Sequence, residues 1–173
     1  AVVAVTAQNT VGVHAVQTIA PETVRAQIDA VVSDIGVDAA KTGMLATAEL
    51  VRAVAGLAPR PLVVDPVFVS KHGDTLLVDD AVEALRLDLL PRATVVTPNL
   101  PEASALTGAE ITDRAGMEHA ARALLQLGPQ VVMVKGGHLD SDDAPDLVLA
   151  QHAEPLWLEA PRIDARHTHG TGC

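Results

Sequence analysis

Aromatic residues, cysteine and lysine are scarce in this chain, and each scarcity closes off a class of function. Phe68 and Trp157 are the entire aromatic complement of 173 residues, so the stacking platforms that hold single-stranded nucleic acid are missing. The formal net charge is −10, opposite in sign to the basic footprint that phosphate backbones require. Cys173 is the single cysteine; it excludes a disulfide framework and a thiolate zinc site and makes a reducing cytoplasm the default compartment. No apolar run approaches the ~20 residues of a membrane-spanning helix. Residues 1–6 lack the basic start and cleavage site of a secretory signal and read as a buried strand. The expectation is a cytoplasmic protein without nucleic-acid or membrane partners. An acidic chain can still bind an anionic nucleotide where a local pocket and a metal ion reverse the field.

What is present is a chain 49% apolar, rich in Val, Leu and Ala and of a length that suits one domain with a sizeable core. Strand-like runs alternate with helical periodicity. Strands are expected at residues 2–6, 38–42, 61–65, 93–97 and 130–135. Helices are expected at 21–35, 47–57, 79–90, from 99 onward, and at 112–127, with Pro21 in a first turn and Thr47 as a cap. Beyond Gly137 the rhythm changes, and residues 146–150 and 155–158 flank a short polar turn as an antiparallel hairpin. The fold class is α/β: a three-layer sandwich, mostly parallel sheet with helices on both faces and an antiparallel edge hairpin. It forms a single domain over 1–173. A chain that starts inside a strand and stops just after a Gly-Thr-Gly turn reads as cut at both ends, and the isolated segment is expected to be poorly active.

Ligands of open α/β sheets bind beyond the carboxyl ends of the strands. Polar clusters fall at each such end: Gln8-Asn9, Lys41-Thr42-Gly43-Met44, Asp65, Thr97-Pro98-Asn99 with Glu102, and Lys135-Gly136-Gly137. The chain holds nine Arg but only Lys41, Lys71 and Lys135, each in a loop segment of this kind, where a compact point charge suits phosphate. Gly170-Thr171-Gly172-Cys173 permits successive backbone N–H groups to converge on an anion. A thiol placed there has a depressed pKa and can serve as a base, while the same N–H groups stabilise charge on a transferring phosphoryl group. A Gly-Thr-Gly turn beside a lone cysteine is equally compatible with an ordinary turn and a small buried hydrophobe.

The strings Thr6-Ala7-Gln8-Asn9-Thr10, Lys41-Thr42-Gly43-Met44-Leu45, Val64-Asp65-Pro66-Val67, Thr97-Pro98-Asn99-Leu100-Pro101-Glu102, Val134-Lys135-Gly136-Gly137-His138 and Thr168-His169-Gly170-Thr171-Gly172-Cys173 together resemble the hydroxymethylpyrimidine/phosphomethylpyrimidine kinases of the ribokinase-like superfamily. The resemblance implies ATP-dependent phosphorylation of 4-amino-5-hydroxymethyl-2-methylpyrimidine, then of its monophosphate, in thiamine precursor synthesis. It implies that Gln8, with Thr6 beside it, meets the pyrimidine edge, where an amide matches donor and acceptor. Met44 and Val67 pack on the ring. Asp65, Asn99, Lys135, Gly136 and Gly137 meet the nucleotide phosphates. Glu102 and Asp65 organise Mg²⁺, which takes hard oxygen ligands and needs only one or two carboxylates. Cys173 is the base, with Gly170, Thr171 and Gly172 completing the anion hole. A homo-oligomer is carried as an open expectation. Phe68 stands where the family usually has Met, which alters the ring pocket. Two alternatives stay open: a pyridoxal or pyridoxine kinase, and a non-catalytic pyrimidine-binding module.

Overall fold

The computed structural model describes residues 1–9, 12–67, 79–140 and 142–163. Its main sheet has six strands in chain order: β3 (Ala40–Thr42), β4 (Leu62–Val64), β5 (Val95–Val96), β6 (Val131–Val134), β7 (Asp146–Ala150) and β8 (Leu156–Leu158). The β3–β4, β4–β5 and β5–β6 pairs are parallel, while β6–β7 and β7–β8 are antiparallel. This is the mixed sheet with an antiparallel edge read from the sequence. Val and Leu dominate these strands because branched side chains suit a pleated surface covered by helices. Leu62, Val64, Val96, Val132, Val134 and Leu147 are all 0% exposed, and each such burial contributes about 1.5–3 kcal/mol.

Among the described residues five α-helices accompany the sheet: α1 (Pro21–Asp34), α2 (Ala48–Leu57), α3 (Asp79–Ala84), α4 (Leu100–Thr107) and α5 (Arg114–Leu125). Thr47 caps α2, its side chain accepting the Leu50 N–H, and Asp113 caps α5 through the Gly116 N–H at 2.7 Å. Such caps satisfy donors that the first helical turn leaves orphaned. Met117, Ala120, Ala121 and Leu124 follow the helical period and bury one face of α5. The helix expected through residue 90 is α-helical only as far as Ala84; it continues as a π-type turn over Leu85–Leu89 and a 3-10 turn over Leu90–Arg92. Pro91 accounts for the change, since it lacks an N–H and cannot extend an α-helical ladder.

One expectation is corrected. Residues 2–6 are not a buried strand of the main sheet. The strand is β1 (Ala4–Gln8), and it pairs antiparallel with β2 (Val13–Thr18) in a separate two-stranded sheet, with most of its residues exposed. The Asn9 N–H donates to the Gly12 carbonyl and the Gly12 N–H donates to Asn9 Oδ1, both at 3.1 Å. Asn and Gly close a local connection at low entropic cost, and a near partner in sequence outcompetes a distant one. The hydrophobic run at the start resembles a core strand because composition does not record which partner the strand finds. In α1 the apolar stripe is likewise only partly covered: Val24 is 0% exposed, but Val31 and Val32 are 46% and 41% exposed.

Candidate active site

The parallel strands end in a stagger that brings their carboxyl ends together. Backbone bonding continues past the strands: Asp65 N–H donates to the Thr42 carbonyl at 3.0 Å, Thr97 to Val64 at 2.9 Å, and Lys135 to Pro98 at 2.8 Å. Lys41, Asp65, Asn99 and Lys135 therefore arrive from β3, β4, β5 and β6 at one edge of the sheet, as expected for a parallel α/β architecture.

Asp65 is the hub. Its Oδ2 accepts from Lys41 Nζ at 2.9 Å and its Oδ1 from Lys135 Nζ at 3.1 Å. Lys135 is largely covered, with its side chain 18% exposed, whereas Lys41 is 58% exposed. Burial, the largest single influence on Asp65, pushes its pKa up; the hydrogen bonds and charges of Lys41 and Lys135 together outweigh it, and the carboxyl lies below its ordinary 3.8. One carboxylate with two ammonium groups carries a net positive charge of one. That is a local reversal of sign in a chain of net charge −10, and it is what an anion requires.

Beside this hub stand Asn99 and Glu102. Asn99 is the N-cap of α4, and the pair forms a complete capping box. Glu102 N–H donates to Asn99 Oδ1 and Asn99 N–H donates to Glu102 Oε2, each at 2.8 Å. Glu102 is 0% exposed. Burial pushes its pKa from 4.5 up to about 7; the Asn99 N–H and the Lys135 charge oppose the rise, and the Asp65 charge adds to it. Its second oxygen, Oε1, is buried with no hydrogen-bond partner among the described residues. A buried carboxylate oxygen left unmatched is costly. A hard cation, or a water bound to one, would supply the missing partner, so the donor chemistry fits Mg²⁺ at Glu102. Both oxygens of Asp65 already accept from lysine, so a metal reaching Asp65 would have to share or displace those contacts.

Lys135 leads into Gly136 and Gly137. A side chain at Gly136 would strike the carbonyl oxygen of Pro145, so glycine is required for this close backbone approach. The Gly136 N–H donates to Asp146 Oδ1 at 2.9 Å. Arg162 grips the same loop: its guanidinium donates to the Gly137 carbonyl at 3.0 Å and to the Leu139 carbonyl at 2.6 Å. Two residues outside the sequence-derived site thus take part in it. The sequence places Lys41 in a strand-end polar cluster and among three loop lysines but assigns it no role; its place on Asp65 depends on strand order. Arg162 gave no signal, because a guanidinium that binds backbone carbonyls has no partner type visible in a sequence.

Asp65, Asn99, Glu102, Lys135 and Gly136 come together. Met44, half-buried, follows β3 in the same segment as Lys41, and Val67 is half-buried two residues beyond Asp65. Thr6 and Gln8 stand exposed on the two-stranded sheet. Gly170, Thr171, Gly172, Cys173 and Phe68 lie outside the described residues.

Residues 1–173 match the family model described as phosphomethylpyrimidine kinase. A hydroxymethylpyrimidine/phosphomethylpyrimidine kinase of Streptomyces coelicolor is 55% identical over 98% of this chain and 64% of its own length. The Haemophilus influenzae protein of the same name is 46% identical over 100% of this chain and 67% of its own. The chain thus spans about two thirds of the length of these relatives. Among solved structures, phosphomethylpyrimidine kinase from Clostridium difficile has a TM-score of 0.79 at 39% identity, covering 92% of this chain and 69% of that one. Bacillus subtilis pyridoxal kinase in its ADP complex has a TM-score of 0.85 at 37% identity, covering 98% and 66%. The strand-end cluster, the matching family model and these identities lead to one assignment: the chain belongs to the phosphomethylpyrimidine kinase family.

Proposed function

We propose that the protein transfers the γ-phosphate of ATP to the hydroxymethyl group of 4-amino-5-hydroxymethyl-2-methylpyrimidine, and then to the resulting monophosphate, as a step in thiamine precursor synthesis. The observation that carries this reading is the pair of ammonium groups on Asp65 beside a buried carboxylate with an unmatched oxygen, in a chain of this family. A phosphate tail calls for such a concentration of positive charge, and phosphoryl transfer depends mainly on positioning and charge stabilisation.

In this reading Gln8 and Thr6 meet the pyrimidine edge, and Met44 and Val67 pack on its faces. Lys135, Asn99, Gly136 and Gly137 meet the nucleotide phosphates. Glu102, with Asp65 near it, would hold Mg²⁺, which when bound supplies charge neutralisation to the phosphates. Cys173 takes the hydroxyl proton as that oxygen bonds to the γ-phosphorus and the bond to the β–γ bridging oxygen breaks. ADP leaves with the electron pair. The backbone N–H groups of Gly170, Thr171, Gly172 and Cys173 absorb the developing charge.

Pyridoxal phosphorylation is the second reading, favoured by the backbone likeness to the Bacillus subtilis pyridoxal kinase. Gln8 and the Thr6-to-Thr10 string favour the pyrimidine. Steady-state kinetics with both rings, ATP and Mg²⁺ test the choice. The pyrimidine is expected to give the higher kcat/KM; a higher value for pyridoxal reverses the assignment, and binding without turnover by the complete parent protein supports the non-catalytic module.

A further inference from the structure

The two lysines on Asp65 are not equivalent, and their difference points to separate tasks. Lys135 extends from β6 into Gly136-Gly137 and is largely covered, while Lys41 lies on β3, directly ahead of Thr42-Gly43-Met44, and is the more exposed of the two. In the strand order β3-β4-β5-β6 the two cations stand on opposite sides of Asp65. Lys135 is on the side assigned to the nucleotide, Lys41 on the side assigned to the ring. One lysine suffices to balance the Asp65 charge, so the second is a surplus cation in a chain that has only three lysines.

The proposed reaction sequence supplies a use for it. The first acceptor is a neutral alcohol. The second is a phosphate monoester carrying about −1.5 to −2 charge near neutrality, so the second round brings an anion to the ring side that the first does not. We infer that Lys41 is the specificity-determining residue for the monophosphate acceptor, pairing with its phosphate while Lys135 serves the nucleotide. In that round a non-bridging oxygen of the acceptor phosphate bonds to the γ-phosphorus as the bond to the β–γ bridging oxygen breaks. ADP departs with the electron pair and the product is the diphosphate. The nucleophile is already ionised, so the demand on the protein is to hold two anions side by side, which an additional ammonium group meets.

The inference rests on the kinase reading, and the test separates the two. Lys41→Met and Lys41→Arg are compared with the unaltered protein, using the alcohol and its monophosphate as alternative acceptors at saturating ATP and Mg²⁺. Lys41→Met is expected to lower kcat/KM for the monophosphate about 10- to 100-fold, the loss of one charge-assisted contact, with a several-fold smaller loss for the alcohol. Lys41→Arg should recover most of the monophosphate activity. Equal losses on both acceptors, a larger loss on the alcohol, or no recovery by arginine overturns the role of Lys41 while leaving the kinase reading intact. Alcohol turnover with no monophosphate turnover by the unaltered protein does the same. These assays use the complete parent protein, and no turnover of either acceptor by its unaltered form defeats the kinase reading itself. Should Lys41→Met fail to fold, Lys41→Gln, which keeps a polar side chain but no charge, is titrated with the monophosphate: a dissociation constant weakened about tenfold supports the inference, and an unchanged one opposes it.

Discussion

Asn99 and Glu102 cap one another: each presents a side-chain oxygen to the other's backbone N–H at 2.8 Å. The same contact that starts α4 also fixes Glu102 where one of its oxygens is satisfied and the other has no partner among the described residues. A structural device and the carboxylate proposed to hold Mg²⁺ are thus the same side chain, and this has a measurable consequence for stability.

Because the Glu102 pKa is raised from 4.5 to about 7, the folded chain retains a proton between those values that the unfolded chain has released. The contribution is fully present below 4.5, is lost as pH rises through about 7, and stays lost above it. The size is on the order of 3 kcal/mol. Glu102→Gln should remove this slope, so that urea unfolding without Mg²⁺ shows the variant gaining on the unaltered protein as pH is raised from 5 to 8. Parallel stability curves for the two proteins would refute the assignment.

Gly136→Ala places a methyl group against the Pro145 carbonyl. Backbone cannot yield as a flexible side chain does, so the variant is expected to lose roughly 1–3 kcal/mol, read as a lower urea midpoint. An unchanged midpoint would mean that the loop relaxes freely.

Arg162→Ala removes the donors to Gly137 and Leu139 and loosens the loop that follows Lys135. KM for ATP should rise about tenfold, the equivalent of one charge-assisted hydrogen bond, with kcat less affected. Arg162→Lys keeps the charge but not the planar fork and should rescue little. An effect confined to kcat would contradict a positioning role.

In the full-length enzyme, Cys173→Ala should leave pyrimidine binding largely intact and cut kcat by roughly 10²–10⁴, the range for a general base. Gln8→Ala should instead act mainly on KM, since it removes binding shared by the ground and transition states. An unchanged kcat in the first variant, or a pure kcat effect in the second, would remove the corresponding role.

Local chemistry made much of this legible beforehand. Thr47 announces the start of α2, Asn99 with Pro101 that of α4, and β-branched runs such as 131–134 have no good alternative to a strand. The positions of Asp65, Asn99 and Lys135 at strand ends, with Glu102 in the first turn of the helix that follows, also follow from one dimension, because a parallel sheet puts every carboxyl end on the same side. Pairing was not legible in this way. The run at residues 2–6 carries the composition of a core strand, yet it joins a local hairpin through Asn9 and Gly12, since periodicity fixes which face is apolar and not which neighbour covers it. Lys41 and Lys135 are ninety-four residues apart, and only the order of strands brings both to one carboxylate; Arg162 reaches its loop in the same way, through space. Residue type and period act over a few neighbours and are written in the chain, whereas charge pairing and burial act over ångströms between distant segments and exist only once the strands have found their order.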